Sequence, residues 1–70
     1  MHRFGEKLRV LRKKKGLTLK QLADELEFDS HSYLSAIEFG KKQPSVELVI
    51  KIALLFDVST DDLLFDDREV

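Results

Sequence analysis

Ser30, His31, Ser32, Tyr33, Ser35 and Ala36 crowd into one short stretch, outside the positions of Leu34 and Ile37 that suit a core. Such donors and acceptors, with rings and a methyl beside them, can bond many polar partners, base edges in a DNA groove among them. A serine hydroxyl donates to or accepts from several bases, and His31 can donate to guanine. Tyr33 can bond a phosphate or pack on a thymine methyl, and Ala36 can touch that methyl. No Lys or Arg lies among them, so the bidentate guanine contact, the commonest specific one, is not available. Such readout is permissive, and specificity would lean on DNA shape and on a second half-site. The plainer alternative is a polar solvent face with Tyr33 packed back onto the domain.

Charge is distributed unevenly. The chain has 70 residues and a net charge of −1, yet eight of its twelve Lys and Arg precede residue 21 and twelve of its thirteen acids follow Lys20. A basic pole can meet phosphate while an acidic pole (Asp57, Asp61, Asp62, Asp66, Asp67, Glu69) faces away. The bland reading is solvated helix faces. With no cysteine and only His2 and His31, far apart, no metal site is expected. Nothing resembles a nucleophile elbow, so the chain is expected to be neither an enzyme nor a holder of a cofactor.

Short amphipathic helices would position these groups. Phe4, Leu8 and Leu11 at i, i+4, i+7 predict a first helix over about residues 3–14. Thr18 with Gln21 three residues on is a capping box opening a second, about 18–26. Asp29 or Ser30 can cap a third, about 30–38. Pro44-Ser45 opens a fourth, about 45–56, apolar over more than half its circumference and so expected at the centre of the core. Ser59 and Asp62 start a short fifth, about 60–65. Gly16 and Gly40 suit helix stops. With no strand signal, the fold class is a compact all-α domain of five helices. The second and third helices, joined by a tight turn, have the geometry that lays one helix in the major groove.

The pattern resembles the lambda-repressor-like, or XRE-type, helix-turn-helix domain of bacterial and phage transcriptional regulators. The likeness spans about residues 3–65. It rests on Leu8-Arg9, Leu11-Arg12, Gly16-Leu17-Thr18, Leu22-Ala23, Ser32-Tyr33-Leu34-Ser35, Ile37-Glu38 with Gly40, Pro44-Ser45, Ile52-Ala53 and Val58-Ser59. It implies binding to double-stranded DNA, with Ser30 to Ala36 reading bases. It also implies phosphate contacts by Thr18 and Lys20 at the start of helix two and by Lys41, Lys42 and Gln43 after Gly40. Arg12 and Glu38 match the family's ion pair between helix one and the end of the reading helix. The run Lys13-Lys14-Lys15 complements a helix C-terminus and is not assigned to DNA. Three departures stand out: Glu27 where the family has Gly, Leu19 where it often has Gln, and a reading helix without Arg or Lys. The turn also counts one residue longer than usual, so a left-handed glycine is expected to have been exchanged for a longer turn plugged by Phe28.

One such domain reads half a site. Ile50, Leu54, Val58, Leu63 and Leu64 are candidates for a self-complementary apolar patch, giving a homodimer on an inverted repeat with half-sites about 34–36 Å apart. The competing function is a protein-binding adaptor or antitoxin-like module on the same fold. The longest apolar run falls far short of about twenty residues, so a soluble, cytoplasmic protein without membrane association is expected.

Overall fold

A computed structural model describes residues 2–70. Five helices follow in order: α1 (Phe4–Lys14), α2 (Leu19–Glu25), α3 (His31–Glu38), α4 (Val46–Phe56) and α5 (Thr60–Leu64). No strand occurs among the described residues, and none of the helices is long and apolar enough to cross a membrane. The core joins Phe4, Leu8 and Leu11 of α1 with Leu22 and Ala23 of α2, Leu34 and Ile37 of α3, Leu48, Val49 and Ile52 of α4, and Leu63 of α5.

Hydroxyl caps set four of the five helix starts. Thr18 Oγ1 accepts from Gln21 N at 3.1 Å while Gln21 Oε1 accepts from Thr18 N at 2.9 Å. Ser30, not Asp29, caps α3 by accepting from Ser32 N. Ser45 and Ser59 accept from Leu48 N and Asp62 N. Each satisfies a backbone N–H that the helix itself leaves without a partner. α1 has no such local cap. Its entry is held from the far end of the chain, where the Asp66 carboxylate accepts from the backbone N–H of His2 and of Arg3, both at 3.0 Å.

Four helix ends share one solution. Gly16, Glu27, Gly40 and Asp57 all take positive φ, at 71°, 62°, 75° and 54°. After α2, Phe28 N donates to Ala23 O at 2.9 Å and Glu27 N to Asp24 O, the paired bonds of a Schellman turn. The left-handed site expected to be lost from this turn is therefore retained, with a glutamate in it. Phe28 does plug the turn: it is half-buried, its ring 5.9 Å from that of Tyr33 and under the Lys51 ammonium.

α4 is not the centre of the core. It buries Leu48, Val49 and Ile52, while Val46, Ile50 and Leu54 form an exposed row at i, i+4, i+8. α3 has the more central place, packed against both α1 and α2. Gly5 makes that packing close. A Cβ there would overlap the Ile37 carbonyl oxygen and sit 2.8 Å from that of Glu38. Leu63 is fully buried, which removes it from any apolar surface patch, and Val58 and Leu64 are partly buried against the core.

The two ends of the chain are tied together in the fold. Arg3 grips Glu69 with Nη1 at 2.8 Å and Nη2 at 2.9 Å. Lys7 is 1% exposed, and its ammonium donates to the carbonyls of Asp62 at 2.6 Å and Phe65 at 2.5 Å. Lys14 and Lys15 donate to the carbonyls of Val70 and Leu55. The basic beginning of the chain thus clasps its acidic end, and the two do not stand apart as free poles.

Candidate nucleic-acid interface

The candidate surface is built on α3, and its residues divide into those that hold the helix and those that hold nothing. Leu34 and Ile37 are buried. Glu38 is fixed by Arg12, whose Nε and Nη2 donate to the two carboxylate oxygens at 2.8 and 3.2 Å while Nη1 donates to Leu17 O. Arg12 pairs the end of α1 with the last turn of α3 and also ties in the loop to α2, a contact not expected from the sequence.

Tyr33 belongs to the holding group. Its ring is half-buried against Phe28, and its hydroxyl oxygen accepts from Ser45 N at 3.3 Å. Of the expected base-reading residues it is the one turned back onto the domain, bracing α3 against the start of α4. Ser30 serves as the α3 cap and Thr18 as the α2 cap, so each has one oxygen lone pair committed to a helix start and keeps its O–H and a second lone pair to offer. His31 and Ser32 are exposed with no side-chain partner, and Ser35 and Ala36 are half-exposed behind them.

Unengaged cations lie on the elements next to α3. Seven of the twelve Lys and Arg side chains are engaged inside the molecule: Arg3, Lys7, Arg12, Lys14, Lys15, Lys51 and Arg68. Among the described residues, the side chains of Arg9, Lys13, Lys20, Lys41 and Lys42 have no hydrogen-bond or ion-pair partner. Lys20 stands in the first turn of α2, and Lys41 and Lys42 follow α3 directly, with Gln43 exposed beside them. Two of the three lysines in the 13–15 run are among the engaged ones.

The same fold occurs in known proteins. The helix-turn-helix family model matches residues 8–63. This chain belongs to the helix-turn-helix family. It is 34% identical to the N-terminal DNA-binding domain of SinR from Bacillus subtilis, whose structure superimposes with a TM-score of 0.86 over 99% of this chain and 100% of that one. The restriction-modification controller protein C.AhdI from Aeromonas hydrophila is 33% identical, with a TM-score of 0.78 over 90% and 94% of the two chains. Among curated relatives, the HTH-type transcriptional regulator YqaE of Bacillus subtilis is 39% identical over 61 residues, 87% of this chain and 52% of YqaE. The chain spans between 29% and 60% of the length of the curated relatives it matches. Helix-turn-helix regulators work by binding DNA and are not enzymes.

Within the family fold, three residues gain roles that spacing alone did not reveal. Gly5 permits the approach of α1 to α3, Lys7 bonds the end of α5, and Val46 opens the exposed row on α4. Only Val46 carried a local signal, since it lies one turn before Ile50.

Proposed function

We propose that this chain is the DNA-binding unit of a transcriptional regulator, with α3 in the major groove and His31, Ser32, Ser35 and Ala36 toward the bases. The observation that carries this reading is the set of unengaged cations. In a fold where seven of twelve cationic side chains are held internally, Lys20 on α2 and Lys41 and Lys42 just after α3 have side chains without a partner. Phosphates flank a groove, and backbone contacts fix the register in which base edges are read.

A homodimer on an inverted repeat completes the proposal. Val46, Ile50 and Leu54 are 77%, 48% and 78% exposed along one side of α4. A two-fold axis through such a row makes it self-complementary and would set two α3 helices about 34–36 Å apart on the DNA. The same row is what a protein-binding adaptor would use, so DNA affinity decides between the two readings.

The test is a titration of sites selected from random duplex, followed by anisotropy at rising salt. Binding is expected to weaken with salt by about 0.9 log units per log unit for each phosphate neutralised. Lys42→Ala should lower that slope by about one unit and weaken all sequences alike. A protein that shows no affinity for any duplex at low salt would instead be the adaptor.

A further inference from the structure

We propose that Phe39 is an apolar DNA contact that carries the reading face one residue past the end of α3. The inference rests on the DNA-binding reading above and adds a residue to it. Phe39 is 67% exposed and is absent from the apolar side chains packed against the core. Its position continues the outward register of the helix, since Ser32, Ser35 and Phe39 stand at i, i+3, i+7. The backbone that displays it is fixed on both sides. Phe39 N donates to Ser35 O at 3.0 Å, Lys41 N donates to Ala36 O at 2.8 Å, and the preceding Glu38 is held by Arg12.

Charge says what covers the ring. Lys41 and Lys42, both unengaged, follow it directly. A second copy of the chain would bring like charge against like at this spot, whereas a polyanion is complementary to it. The part of DNA that suits a phenyl ring is the apolar carbon at the groove edge, either a thymine C5-methyl or the deoxyribose. Such a contact would supply discrimination or affinity that the hydroxyls of α3 do not.

Phe39→Ala and wild type would be titrated against the selected duplex and against the same duplex with thymine replaced by deoxyuridine, each at two salt concentrations. The expected result is a loss of about tenfold for Phe39→Ala, with an unchanged salt slope because no phosphate contact is removed. Melting should be unchanged, since the ring buries little in the free protein. A deoxyuridine penalty seen in wild type and absent in Phe39→Ala identifies the methyl, and an equal penalty in both identifies the sugar. Undiminished affinity of Phe39→Ala overturns the proposal, as does a loss of self-association at unchanged half-site affinity. If wild type itself binds no duplex, the failure belongs to the DNA-binding reading.

Discussion

Arg12 and Glu38 form a side-on, two-bonded ion pair in which the side chains are 13% and 4% exposed. At that burial the pair is not a surface ornament worth about 0–1 kcal/mol. Removing Arg12 strands a carboxylate in the last turn of α3 and also releases the Leu17 carbonyl. Arg12→Ala is expected to cost about 3–5 kcal/mol, read from the midpoint of a urea melt. An unmoved midpoint would contradict the burial.

Gly5→Ala tests the approach of α1 to α3. Alanine favours a helix interior over glycine by up to about 1 kcal/mol, so propensity alone predicts a gain. The added Cβ meets two backbone carbonyl oxygens, which cannot rotate away. Overpacking of about 1–3 kcal/mol is expected to win, lowering the melting temperature. Because the displaced backbone is that of α3, DNA affinity should fall along with stability.

Glu27→Gly should have the opposite sign. A left-handed residue with a Cβ costs on the order of 1–2 kcal/mol, less the chain entropy that glycine brings to the unfolded state. A net stabilisation of about 0.5–1 kcal/mol is expected. Asp57→Gly should gain less, because aspartate tolerates φ near 54° better than glutamate tolerates 62°. Equal responses in the two melts would refute the distinction.

The clasp between the chain's two ends makes stability fall in acid. The backbone N–H groups of Arg3 and His2 hold the Asp66 carboxyl below its usual value. The Arg3 guanidinium lowers Glu69, and Arg68, followed by Ser59, lowers Asp62. A carboxylate with a depressed folded pKa contributes stability that is complete above its unfolded value, about 4, and is lost as pH falls through the folded value. From these groups the urea midpoint should be flat between about pH 5 and 8 and decline below about pH 4. Asp66→Asn should make the acid decline shallower, and an undiminished decline would assign it to other carboxylates.

Much of the scaffold was legible because its signals are local. Thr18 with Gln21, Ser45 before Leu48 and Ser59 before Asp62 announce helix starts within a single turn. Phe4, Leu8 and Leu11 announce a buried face by spacing. What stayed hidden depends on partners distant in the chain. Lys7 reads as an ordinary surface lysine until α5 delivers two carbonyls to it from 55 and 58 residues away. Tyr33 offers its hydroxyl equally to a phosphate or to Ser45 N, and only the docking of α3 beside α4 decides. Glu27 hides a left-handed turn because side-chain identity is a weak guide to φ once tertiary packing overrules it.

α3 divides its labour along its length. Leu34, Ile37 and Glu38 anchor it to the body, Tyr33 braces it, and the exposed His31 and Ser32 have no side-chain partner. Substitutions at such positions change stability by only about 0.5 kcal/mol either way. With α3 in the groove as proposed, exchanging those two residues would alter the DNA sequence recognised without a compensating change in the body of the protein. A lineage of such domains could diversify its targets while its framework stands still.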